Sequence, residues 1–116
     1  MIMSGPPLSP ARCAGSLVFT SGQLARGDDG KIVAGGIEAQ AEQALANLIA
    51  VLAAEGCTAA DVVKVTAWLT DARFGAAFNA AYRRHFGAPF PARSTVVSAL
   101  LADGALIEVE AIAQRA

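Results

Sequence analysis

The sequence predicts an α+β fold: one mixed β-sheet with two helices packed on one of its faces. Three observations predict it. Two segments carry apolar residues at helical spacing and end at glycine or proline. The segments around them are rich in β-branched residues that alternate with a period of two. No internal repeat, low-complexity tract or linker interrupts the series, so one sheet covered by two helices is the simplest layering.

The elements follow in order. Residues 16–21, SLVFTS, read as a strand of β-branched and aromatic side chains. Asp28-Asp29-Gly30 offers a turn, Lys31-Ile32-Val33 a returning strand, and Gly35-Gly36 a break. Residues 37–55 form the first helix: Ala41, Leu45, Leu48 and Leu52 make its apolar stripe, Gln40, Gln43 and Asn47 lie on another face, and Gly56 stands where a C-terminal cap belongs. Thr58 and Asp61 have capping-box spacing for one short turn. Residues 62–70, VVKVTAWLT, are strongly β, with Val63, Val65, Ala67 and Leu69 on one face and Lys64, Thr66 and Trp68 on the other. Asp71 caps a second helix over residues 72–86, closed by Gly87, with Phe74, Phe78 and Ala81 as its buried stripe. Pro89 and Pro91 stop it and extend the chain. Two strands close the series, residues 93–100 and 106–114, joined by Ala102-Asp103-Gly104. The predicted order is β-β-α-β-α-β-β.

Composition narrows the function. The 116 residues suit one domain, residues 1–116. Hydrophobic residues make up 54% and charged residues 16%, well below the usual ~25% charged. A chain this small cannot hide so much apolar surface alone, which points to subunit interfaces. The apolar windows are shorter than the ~20 residues of a membrane span. The start, MIMSGPPLSPAR, lacks the pattern of a secretion signal, so a cytoplasmic location is expected. A net charge of −1 argues against a nucleic-acid surface. The one basic cluster, Arg83-Arg84-His85, ends a helix and is read as complementing its dipole. Cys13 and Cys57 have no CxxC spacing and read as free thiols. A single histidine makes a zinc site or a serine–histidine–aspartate triad improbable.

Charge inside the last two strands is the chemical signal. Glu108 and Glu110 share one face of the final strand, and Arg93, Thr95 and Val97 share one face of the strand before it. If these strands pair, an arginine and two carboxylates lie close together. Two readings fit. In one, Arg93 binds a carboxylate with its planar fork while a glutamate orients water and carries a proton. In the other, the residues form a structural ion pair, which remains the favoured role for Glu110. Ser21-Gly22-Gln23 at a strand end can present N–H groups to an anion or form an ordinary turn. Asn79, mid-helix without a propensity reason, reaches a ligand or is solvated. Trp68 and Tyr82 read as packing residues, His85 as a helix-end residue.

Taken together, FTSGQL (residues 19–24), AQAEQALANLIAVLAAEG (39–56), DVVKVTAWLTD (61–71), FNAAYRRHFG (78–87), FPARSTV (90–96) and IEVEAIA (107–113) resemble, in the same order, the RidA/YjgF family of reactive-intermediate deaminases. The resemblance covers nearly the whole chain from Ser16. It implies a chorismate-mutase-like fold whose sheets close into a trimeric barrel, with ligand clefts between subunits. It implies hydrolysis of 2-enamine or 2-imine acids to 2-oxo acids and ammonia, with no metal or organic cofactor. By the same resemblance Arg93 holds the substrate carboxylate and Glu108 positions the attacking water. Ser21, Gly22 and Asn79 line the cleft, and Thr95, where a cysteine often stands, contributes through its main chain. Family deaminases carry glycine-proline-tyrosine near the N-terminus; here Pro6-Pro7-Leu8 stands in its place, and leucine offers no hydroxyl. A non-catalytic binder of small carboxylate metabolites on the same scaffold is the alternative. The ribonuclease label of some relatives fits poorly with the charge balance and the lack of an acid/base histidine pair.

Overall fold

The computed structural model describes residues 5–116; Met1–Ser4, the start of the stretch read as lacking a secretion signal, lie outside it. A six-stranded mixed sheet is built from β1 (Ala11–Ala14), β2 (Leu17–Thr20), β3 (Gln23–Leu24), β4 (Val62–Leu69), β5 (Ala92–Val97) and β6 (Ile107–Gln114). Helices α1 (Gly36–Ala54) and α2 (Gly75–His85) lie on one face. The strand order is β1-β2-β6-β4-β5, with β3 also on β6, and only the β4–β5 pair is parallel.

Alternation decides which residues meet the helices. In β4, Val65, Ala67 and Leu69 are buried, whereas Val63, expected on the same face, is exposed because an irregularity between Val62 and Lys64 shifts the register and buries Val62 instead; in β6, Ile107, Val109, Ala111 and Ala113 are buried. They pack on Ala41, Leu45, Leu48 and Leu52 of α1 and on Phe78, Ala81 and Tyr82 of α2. The apolar stripe of α1 is therefore the predicted one. Gly56 follows it at φ +79° and donates to Ala53 O at 3.0 Å, a left-handed closure that favours glycine. Gln40 is buried as well. Its amide nitrogen donates to Gly104 O (2.9 Å) and its oxygen accepts from Leu106 N (2.8 Å), pinning the β5–β6 loop to α1. No helix among the described residues is long and apolar enough to cross a membrane.

Several expectations are corrected. The first strand of the sheet, β1, lies in a segment without strand signals and forms a hairpin with β2. The returning strand at residues 31–33 is only an isolated bridge, Arg26 to Ile32. The turn before it holds as read, with Gly30 N donating to Gly27 O at 2.9 Å. Asp71 caps a 3₁₀ turn over Ala72–Phe74, accepting from Arg73 N at 2.8 Å, and α2 begins only at Gly75. Gly87 is not in the left-handed region; α2 ends as Phe86 N donates to Tyr82 O.

The correction that matters most concerns β5 and β6, which do not pair. β5 follows α2, so β4-α2-β5 is a parallel crossover that places β5 at the sheet's outer edge. β6 then returns to the centre, between β2 and β4. β4 thus separates the two strands that carry Arg93 and Glu108.

Candidate functional site

Arg93 lies opposite Val65 in the β4–β5 register and points to the same side as this buried valine, toward α2. Its guanidinium carbon sits 4.9 Å from the Phe78 ring centroid and 4.7 Å from that of Tyr82. Such contacts hold a cation while leaving its N–H edge free. Nη2 donates to Asn79 Oδ1 at 2.7 Å. Asn79 and Tyr82 are one helical turn apart, so α2 offers both from the same face. Among the described residues Arg93 forms no ion pair. It borders a cleft of about 240 Å³ together with Asn79, Tyr82, Arg83, Phe90 and Pro91. Thr95, two residues further along β5, is exposed and does not line this cleft.

The Tyr82 ring stacks on Phe86 with centroids 4.6 Å apart, and its hydroxyl has no hydrogen-bond partner among the described residues. Burial pushes its pKa up, against the opposing pull of Arg93. Reading Tyr82 as a packing residue is correct for one side of the ring and misses the other, which carries the arginine. The spacing Asn79-x-x-Tyr82 is the sequence signal for it.

Glu108 occupies the other face. It alternates with buried Ile107 and Val109 and pairs with Leu24 and Trp68 on the side that no helix covers. Burial pushes its carboxyl above the usual carboxylate range, and neighbouring Glu110 pushes the same way. Gly22 lies against it: a Cβ built there would stand 2.8 Å from the Glu108 carboxyl carbon. Glycine is thus needed for close approach.

A local irregularity creates this contact. Phe19 pairs with Ile112 and Gln23 with Val109, so three residues on one side face two on the other. At the break, Ala111 N donates to the buried Thr20 Oγ1 at 3.0 Å instead of to a strand carbonyl. Ser21 and Gly22 leave the ladder there. Ser21 N donates to Pro10 O (2.8 Å) and its hydroxyl to Ser9 O (2.5 Å). These bonds tie down the segment that carries exposed Leu8.

The six predicted site residues therefore fall into two groups. Arg93 and Asn79 meet on the helix side; Ser21, Gly22 and Glu108 gather on the open side; Thr95 joins neither. Within one chain Arg93 and Glu108 do not meet. They lie on either side of β4, three residues apart along it. That separation is about 10 Å along the strands and about 10 Å across them, and the side chains point through opposite faces. For the same reason Arg93 forms no ion pair with Glu108 or Glu110 within the chain, among the described residues.

The chain is thus a two-layer α+β protein with an arginine-lined cleft on the helix side and a partly buried carboxylate on the open side. The Endoribonuclease L-PSP family model matches residues 2–115. A protein from Capra hircus named 2-iminobutanoate/2-iminopropanoate deaminase is 39% identical over 108 residues, covering 92% of this chain and 79% of its own. RidA from an Antarctic Psychrobacter superposes with a TM-score of 0.90 at 34% identity, over 97% of this chain and 91% of its own. E. coli TdcF, solved with bound serine, gives 0.88 at 34% identity with the same coverage. The chain belongs to the RidA/YjgF family, the family of the L-PSP endoribonuclease model.

Proposed function

We propose that this protein is a deaminase that hydrolyses 2-imino acids, and the enamines that tautomerise to them, to 2-oxo acids and ammonia. The observation that carries the reading is Arg93: a guanidinium without a carboxylate partner, held on two aromatic faces at the edge of a small cleft. A substrate carboxylate supplies the missing anion through two parallel hydrogen bonds. Relatives named for this reaction and a neighbour with a bound amino acid support the choice.

The site is completed between copies of the chain in a homotrimer. Arg93 and Glu108 face away from each other within one subunit, so they converge only when the open face of one copy meets the β5 edge of another. Every residue of β5 is exposed, Val97 by 55% and Val96 by 42%, and the open face adds Phe19 and Val63. A bare apolar edge and a bare apolar face are surfaces that association covers.

In the reaction Glu108 accepts a proton from water as the oxygen attacks C2 of the imine. That proton passes to nitrogen, giving a carbinolamine; the hydroxyl then gives up its own proton, carried by Glu108 to the same nitrogen, as the C–N bond breaks, ammonia leaves with the electron pair, and the C2 carbonyl forms. A carboxylate raised above its usual range is suited to both halves of this transfer. Positioning provides most of the acceleration, because such imines hydrolyse readily in water.

The assay generates the imine in situ with an amino-acid oxidase and follows the 2-oxo acid. Wild type exceeds the buffer rate and Arg93→Ala does not. Equal rates for wild type, variant and buffer contradict the deaminase reading. Leu8 favours a second one: a carboxylate-metabolite binder that keeps Arg93 and lacks the family's tyrosine hydroxyl. Arg93-dependent binding of 2-oxobutyrate without turnover would select it.

A further inference from the structure

Three basic residues end α2, and they are used differently. Arg84 Nε donates to Glu42 Oε1 at 3.3 Å and His85 Nε2 sits 2.7 Å from Glu42 Oε2, both joining α2 to α1. Arg83 makes no ion pair and no hydrogen bond among the described residues; it lines the cleft that Arg93 borders. No acidic side chain lines that cleft, in a chain whose net charge is −1. Tyr82, Phe90 and Pro91 make up the rest of its wall with Asn79. Two unpaired guanidinium groups beside apolar walls repel each other and focus a positive potential on one small volume.

We propose that Arg83 is a specificity-determining residue that selects imino acids with a second carboxylate, the four- or five-carbon 2-imino diacids formed by oxidation of acidic amino acids. This rests on the deaminase reading above. Arg93 takes the carboxylate beside the imine carbon, and Arg83 takes the carboxylate at the far end of the side chain. The reaction is unchanged: water adds at C2, ammonia leaves, and a 2-oxo diacid forms. The cleft, about 240 Å³, equals about eight waters' worth of liquid, room for a molecule of about ten non-hydrogen atoms. Helix-dipole complementation alone does not need the side chain in the cleft, as Arg84 and His85 demonstrate on the same helix end.

The test compares acceleration of 2-iminoglutarate hydrolysis, with the imine made by L-glutamate oxidase, against that of 2-iminobutanoate. Arg83→Ala is expected to lower the diacid-to-monoacid ratio of kcat/KM about tenfold. Arg84→Ala, which removes the same charge from the same helix end, leaves the ratio where it was. An unchanged ratio in Arg83→Ala, with 2-iminobutanoate still hydrolysed, overturns this inference and leaves the deaminase reading intact. If wild type accelerates neither imine, that reading fails by itself. Calorimetry with 2-oxoglutarate and 2-oxobutyrate then decides: a diacid preference lost in Arg83→Ala supports the second anion site, and equal affinities overturn it.

Discussion

Arg93 and Glu108 occupy opposite faces of one sheet and are held in opposite ways. The arginine stands on an edge strand, yet its guanidinium is fixed by two aromatic rings and an asparagine, all from one helix. The glutamate stands on a central strand, yet no helix covers it, and Gly22 lies against it with no side chain to crowd it. One half is organised to bind a fixed charge; the other keeps a carboxylate poor in solvation and easy to protonate. Neither does the chemistry alone. On the proposed function the subunit carries two half-sites, and the apolar surface left bare around them is where association joins the halves.

Substitutions that damage only one half sharpen this contrast. The largest effect is expected from Glu108→Gln: kcat falls by roughly 10²–10⁴-fold with KM little changed, because the base is lost and the carboxylate anchor kept. The wild-type rate should also fall as pH drops through the raised pKa of Glu108, since only the ionised form accepts a proton. That limb lies above the ordinary glutamate range and is absent in Glu108→Gln. A profile flat down to the pKa of a solvated glutamate would remove Glu108 from the role.

Arg93→Ala comes next, lowering kcat/KM by about 100-fold, the worth of charged hydrogen bonds lost from the substrate carboxylate. The loss is expected to be smaller for an imine that has no carboxylate; an equal loss on both would deny the anchor. Gly22→Ala is the mildest. Its backbone is not left-handed, so the added methyl acts on the Glu108 carboxyl and not through strain. A drop of about tenfold in kcat, with the melting temperature unchanged, is expected from displaced geometry. A fully active variant would show that Glu108 can move freely without consequence.

How far the site was legible differs between these halves. The α1 stripe, β4 and β6 follow from periodicity, because burial on one face writes itself into alternate or every third and fourth residue. Arg93 and Glu108 stood out as charges within apolar strands. Their separation did not, because it depends on β5 crossing over α2 to the far side of β4, and nothing in either strand's own pattern states its neighbour. Ser21 and Gly22 reach Glu108 through a break in the β2/β3–β6 ladder that spacing cannot show. Tyr82 and Arg83 lie three and four residues beyond Asn79 on α2, so helical spacing places both on its face, but the basic run Arg83-Arg84-His85 reads first as a helix end. Thr95 was assigned through the family resemblance alone, and it does not line the cleft within one chain.

Complementation tests the joined half-sites most directly. Arg93→Ala and Glu108→Gln chains, each inactive alone, are unfolded together, mixed in equal amounts and refolded, and imine hydrolysis is measured. If each site takes its arginine from one chain and its glutamate from a neighbour in a symmetric ring, random mixing restores about a quarter of the wild-type activity. A mixture no more active than its parents, although size and subunit exchange show that mixed oligomers have formed, would contradict the account.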